Sequence, residues 1–284
     1  MVKLLPLRTS LFYTLLLPLL VLIAINSTGA YAADQNTAVK DVIAVGEASL
    51  EQFTPEEARQ MAMRNARANG IEHAIGTEVA SRTLVRDFAL AGDFIRTLSK
   101  GYILEEKVLR WDERIHKEAP DKPGFMTYQV TLKMKVAPLK GSRDPYFMLK
   151  AALNKNFFID GEEAILKVTP TKACYLTILN LSSLDQIRIL FPNEYLKNHY
   201  LKETQTFTFP DRAIGSLIMS TSADHRRDAE AFILIATKQP INLSVLLGKD
   251  QDIAVTELYK VLLDIPVTEW VEEIIPYEVS KNKQ

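Results

Sequence analysis

Four histidines, one cysteine and several adjacent carboxylates are the residues of this chain that could carry chemistry. His73, His116, His199 and His225 share no i, i+4 or similar ligand spacing, and Cys174 lies far from all of them in sequence. A metal site needs about four converging ligands, so the sequence offers no metal residues. It contains no His-Glu-x-x-His, no Gly-x-Ser-x-Gly and no Gly-x-x-x-x-Gly-Lys-Ser/Thr. No catalytic residue and no cofactor are expected, and the chain reads as non-enzymatic. Glu105-Glu106, Glu162-Glu163 and Glu272-Glu273 fall in strand-like segments. Strand neighbours point to opposite faces, so such pairs cannot flank one substrate and read as solvated positions. Cys174 sits in the apolar run Ala173-Cys174-Tyr175-Leu176 and reads as a buried thiol. A single cysteine excludes an intrachain disulfide.

Three polar groupings are candidates for contact with a ligand or partner. His225-Arg226-Arg227-Asp228 lies between the apolar runs 217–221 and 231–237. It reads either as an anion contact at a sheet rim, using the paired hydrogen bonds of arginine, or as a solvated hairpin tip. In Leu190-Phe191-Pro192-Asn193, the proline ends strand pairing and Asn193 can close an Asx turn or face a ligand. Arg59, Arg64 and Arg67 project from one helix, with Arg82 and Arg86 farther on. Arg59 and Arg67 lie eight apart and share a face, off which Arg64 sits. That face is either simply wet or a dock for an acidic partner. The candidate contacts are therefore His225, Arg226, Arg227, Asn193, Arg59 and Arg67.

The elements that must position these residues fall into two halves. The segment 137–145 gathers proline, glycine and serine, and it predicts a boundary near residue 142. The first half, 39–138, reads as α+β, with helices packed on a small antiparallel sheet. A strand at 41–49 precedes a helix opened by Thr54-Pro55-Glu56-Glu57. Thr54 caps it, Pro55 suits its first position and Glu57 completes a capping box. Ala58, Met61, Ala62 and Ala66 give it a small-residue face for close packing. A second helix is expected at 83–98, then strands at 102–116 and 125–136 joined by a long hairpin loop. The last strand alternates cleanly, with Met126, Tyr128, Val130, Leu132, Met134 and Val136 on one face. Its other face is expected to be wet. The second half, 145–280, reads as a mainly-β sandwich of about seven short strands, with a helix at 252–263 and a return strand at 270–279.

Location is the clearest functional statement. Lys3 and Arg8, an apolar run over 11–25 and the Ala30-Tyr31-Ala32 triplet form a secretory signal (1–32) with cleavage after Ala32. The alternative is an uncleaved anchor, against which the run is short and broken by Pro18. The expected location is periplasmic or secreted. Removing Lys3 and Arg8 takes the net charge from −1 to −3 (−1 − 2). A balance so close to neutral implies no nucleic-acid partner and no membrane contact beyond the signal segment.

Two resemblances follow from motifs. Val45-Gly46-Glu47-Ala48, the helix with Ala58, Ala62, Arg64, Asn65 and Ala66, Gly76-Thr77-Glu78-Val79 and Ser99-Lys100-Gly101-Tyr102-Ile103 make residues 42–136 resemble the N-terminal domain of flagellar assembly protein T and related envelope lipoproteins. The resemblance implies a structural module of periplasmic assemblies. Gly161-Glu162, residues 174–180, Ile189-Leu190-Phe191-Pro192-Asn193 and the closing Trp270…Tyr277-Glu278-Val279 make the second half similar to domain of unknown function 4384. That family implies an envelope or secreted context and no established chemistry. The chain departs from it at Ser182-Ser183-Leu184-Asp185, where a glycine-containing hairpin is usual. Together these readings predict an adaptor or accessory subunit of a cell-envelope assembly with an envelope protein as partner. The alternative is a small-ligand or glycan-binding envelope module.

Overall fold

Local chemistry starts the first helix where the sequence places it. In the computed structural model, α1 (Pro55–Ile75) has Thr54 as its N-cap, with a full capping box to Glu57. Gly76 closes it in the left-handed conformation, at φ 77°. The structure describes residues 39–51, 53–76, 101–117, 121, 123–139, 141–213, 215–241, 243 and 252–282. The signal segment with Ala32, the helix expected at 83–98 and Arg82 and Arg86 lie outside these residues.

Helix α1 lies on a three-stranded antiparallel sheet of order β1-β3-β2, made of β1 (Lys40–Ser49), β2 (Gly101–His116) and β3 (Phe125–Pro138). Tyr128, Val130, Leu132, Met134 and Val136 are buried with Ala58, Ala62 and Ala66 of the helix. Helix and strand come very close at Gly46, where an added Cβ would sit 2.1 Å from the Ala62 carbonyl oxygen. Asn65 and Asn69 donate to the Glu47 and Val45 carbonyls, both at 2.8 Å. Four residues of helix and two of strand both rise about 6 Å, which lets these bonds repeat in step. The opposite sheet face is not uniformly wet, as the alternation predicts. Thr127 and Gln129 are buried there. They are satisfied by the Arg114 carbonyl and the Glu47 carboxylate.

The second half is built around a seven-stranded sheet. Its strands are β5 (Phe157–Ile159), β8 (Cys174–Leu181), β9 (Gln186–Phe191), β10 (Tyr200–Leu201), β13 (Arg227–Thr237), β14 (Ile253–Ala254) and β15 (Trp270–Ser280). A three-stranded sheet of β4 (Leu149–Leu153), β7 (Leu166–Pro170) and β11 (Phe207–Phe209), and a pair formed by β6 (Glu163–Ala164) and β12 (Leu217–Ile218), complete the β structure. A second described helix, α2 (Val255–Leu263), precedes β15. The fold is β-rich.

Strand β13 is buried without a break from Ala231 to Thr237 because the large sheet is covered on both faces. Phe232, Leu234 and Ala236 join Leu176, Ile178 and Phe158 in one hydrophobic cluster with the smaller sheet. Ala231, Ile233 and Ile235 join a second cluster with Ala62, Ala66 and Val130 of the first half and Leu258 and Leu262 of α2. The large sheet is thus a layer shared by both halves. The segment expected as a linker is held against it. Arg143 pairs with Glu272 at 2.8 Å, and Asp144 accepts from Lys172 at 2.8 Å and Lys238 at 3.0 Å.

Candidate functional site

The polar residues singled out by sequence are scattered, and most are bound into the fold. Asn193 closes its own turn. Its Oδ1 accepts from Tyr195 N–H at 3.0 Å and Leu196 N–H at 2.8 Å, and its amide donates to the Leu190 carbonyl at 2.9 Å. Arg59 lies over the Tyr128 ring, 4.9 Å from its centroid. Arg59 and Arg67 do not act as one face. Arg67 instead converges with Arg64 on a carboxylate of the second half.

The cluster His225-Arg226-Arg227-Asp228 is not a solvated hairpin tip. Its flanking strands do not pair with each other: β12 pairs with β6, and β13 with β8 and β15. His225 and Asp228 are buried and bonded to each other through Nδ1 and Oδ1. Burial opposes ionisation of Asp228, yet the Ser222 N–H and His225 hold its carboxyl below the usual range. The backbone N–H groups of Arg226 and Arg227 donate to Glu57 Oε1 at 2.8 and 3.3 Å. Glu57 thus serves twice, since its Oε2 caps α1 through Thr54 N–H at 2.8 Å. The Arg227 side chain lies 3.7 Å from Glu278.

The junction of the halves turns on Arg64, which is 2% exposed. Its Nε donates to Asp185 Oδ1 at 2.8 Å, and its two terminal nitrogens reach the Ala229 carbonyl at 2.7 Å and the Ser182 carbonyl at 2.9 Å. Arg67 binds the other Asp185 oxygen and forms a two-pronged pair with Glu106 of β2. Asp185 sits at φ 58°, the left-handed region that a glycine hairpin would otherwise supply. The departure at residues 182–185 is therefore where the second half grips the first. Sequence reading saw the departure but not its partners, which lie 118 and 121 positions away.

A second polar group lies between the halves. Tyr102 and Tyr259 stack at 4.3 Å, and the Arg143 guanidinium lies 5.0 Å from the Trp270 ring. Glu272 is buried beside them, against the expectation of a solvated strand position. Burial raises its pKa, and Arg143 only partly offsets that. The paired expectation for Glu106 also changes, since it is engaged by Arg67.

The most exposed apolar feature is strand β2. Among the described residues it pairs only with β3. Its registers with Leu132, Val130 and Met126 place Val108, Trp111 and Ile115 on the α1 side of the sheet. Ile115 is 72% exposed, and Trp111 and Val108 are 41% exposed. The neighbouring Met126 of β3 is also exposed. Arg110, Asp112 and Arg114 lie on the other face, with Arg110 and Asp112 paired at 2.7 Å.

Fold and site together define a β-rich protein with a long strand edge that carries exposed apolar side chains. Residues 158–240 match the family model described as Domain of unknown function (DUF4384). The match takes in Phe158 of β5 through the end of β13, and it supports the similarity of the second half to that family. No curated protein matches the chain. The resemblance of residues 42–136 to flagellar assembly protein T draws no support from these comparisons.

Proposed function

We propose that this chain is a non-enzymatic adaptor or accessory subunit of a cell-envelope assembly, delivered to the periplasm or secreted by its N-terminal signal. In this reading residues 39–138 are an α+β assembly-type module and residues 145–280 a sandwich-like β domain. The observation that carries the proposal is β2, which pairs only with β3 among the described residues and carries exposed Val108, Trp111 and Ile115 in one stripe. A free strand edge offers unpaired backbone donors and acceptors, and an extended segment of another chain can add to it. The occupant is an extended segment of a second envelope protein with apolar residues at alternate positions. Those residues would pack beside Trp111 and Ile115. Photo-crosslinkers placed at Lys107 and Glu113 in cells test this. A reproducible adduct with one envelope protein, lost in Trp111→Glu with Ile115→Lys, is expected. Self-adducts only, or an adduct indifferent to those substitutions, would remove the edge from consideration. A second reading, a small-ligand or glycan-binding envelope module, is favoured by an open cavity of about 310 Å³ in the second half rather than by Arg226, Arg227 and Asn193.

A further inference from the structure

That cavity opens where the large sheet faces the β6–β12 pair, with Leu190, Phe232 and Met219 among its apolar walls. In its lining, three side chains from three adjacent strands meet. Glu230 of β13 stands directly opposite Tyr277 of β15, and Asn180 of β8 stands opposite Phe232. The Tyr277 hydroxyl lies 2.5 Å from Asn180 Oδ1 and 2.7 Å from Glu230 Oε2. The Asn180 amide donates to the same Glu230 oxygen at 3.2 Å. One phenolic hydrogen cannot serve both of its neighbours. A proton on Glu230 completes the ring: Glu230 donates to Tyr277, and Tyr277 donates to Asn180. Burial raises the Glu230 pKa in the same sense, although Tyr277 and Asn180 pull it down.

Among the described residues no arginine or lysine pairs with Glu230. The charged groups around it are Asp228, itself bonded to His225, and the Arg188–Asp252 pair in the cavity lining. The Arg188 guanidinium is committed to Asp252 by bonds of 2.8 and 2.7 Å. The cavity lining therefore carries one more carboxyl than cation. A partly buried carboxyl with no cationic partner among the described residues favours a cation that can reach it.

We propose that this cavity binds a small primary amine, whose ammonium group pairs with the Glu230 carboxylate while the rest of the ligand packs on Phe232, Leu190 and Met219. On binding, the ammonium donates hydrogen bonds to Glu230 and the proton held by Glu230 leaves to solvent, so charge in the cavity is balanced. The volume suits one molecule of alkylamine or amino-sugar size.

The test uses butylamine and glucosamine as probes, with butanol and glucose as their uncharged counterparts. The full mature chain is followed by thermal unfolding and by calorimetry in two buffers of different ionisation heat. A saturable response to at least one amine is expected, with a Tm rise of roughly 5–10 °C at a hundredfold excess over Kd. The calorimetry should register proton release. Glu230→Gln keeps the side-chain shape and should lose the response. Leu217→Trp fills the cavity from its other wall and should lose it too, which decides the matter if Glu230→Gln does not fold. The proposal is overturned if neither amine binds with Kd below about 10 mM. It is equally overturned if the uncharged counterparts bind as well, or if Leu217→Trp leaves the response intact.

Discussion

Asp185 joins two demands that seldom meet in one side chain. Its backbone sits at φ 58°, and its two oxygens face two arginines of α1. Asparagine adopts the left-handed region readily, so Asp185→Asn keeps the turn while removing the charge. Arg64, almost fully buried, would then lose its ion pair with Asp185. Breaking a buried pair in this way costs about 3–5 kcal/mol. Urea unfolding of the variant should show a loss of that size, and a loss under about 1 kcal/mol would mean that the Ser182 and Ala229 carbonyls suffice for Arg64. Cys174 tests burial independently. It is fully buried in the core, and burial pushes its thiol up to about 11. At pH 8 about one molecule in a thousand is then thiolate. Native protein should resist iodoacetamide at that pH and react fully once unfolded in urea. Rapid stoichiometric labelling of the folded chain would show that the strand pair covering Cys174 opens readily.

Close packing of α1 against β1 depends on Gly46. A methyl group there would meet Ala62 and Ala66 backbone atoms at 2.1–2.9 Å, and backbone cannot swing aside as a flexible side chain can. Overpacking of this kind costs about 1–3 kcal/mol, and more where nothing can relax. Gly46→Ala should lower the denaturation midpoint accordingly; an unchanged midpoint would mean that the helix can lift from the sheet without loss. This element shows what sequence could disclose. The Thr54–Glu57 capping box, the small face of α1 and the alternation of β3 are local patterns, and the structure places the start of α1 and the ends of β1 and β3 within two residues of the expected positions. Strands of two or three residues, such as β6, β10 and β14, are too short to have a period. Residues 225–228 were opaque for another reason. Their environment comes from Glu57, about 170 positions earlier, and from a strand pairing that skips the neighbouring run. The unbroken apolar run of β13 did carry a signal, since strands covered on both faces lose their alternation. What no local pattern discloses is that this strand belongs to a layer shared by both halves.

At the scale of the molecule, that shared layer couples the halves, and Glu272 lies in it. One Glu272 oxygen pairs with Arg143 and the other has no hydrogen-bond partner among the described residues. Its pKa is raised in the fold, so the folded state holds its proton to higher pH than the unfolded chain does. Stability tied to this group is present below the ordinary glutamate pKa of about 4.3 and is lost as pH rises through the folded value. Glu272→Gln removes the titration. The stability of the variant relative to the parent should therefore climb as pH increases from 4.5 to 8, measured as the difference in urea midpoints; a constant difference would place the carboxyl in a wetter setting. The same layer governs how the chain unfolds. One hydrophobic cluster contains Val130 and Leu132 of β3, Ala231 and Ile233 of β13 and Leu258 of α2, so neither half keeps its core if the other leaves. Arg64 and Glu57 reach across the same surface, and their bonds to the second half would be lost with it. Intermediate states with one half folded are thereby penalised through exposed apolar area and through the lost bonds across the junction. Scanning calorimetry of the chain from residue 33 onward should give one transition, with calorimetric and van't Hoff enthalpies equal. Asp185→Asn should lower its temperature without splitting it, because the hydrophobic layer remains. Two resolved transitions in the parent would show that the halves fold as independent units despite their common sheet.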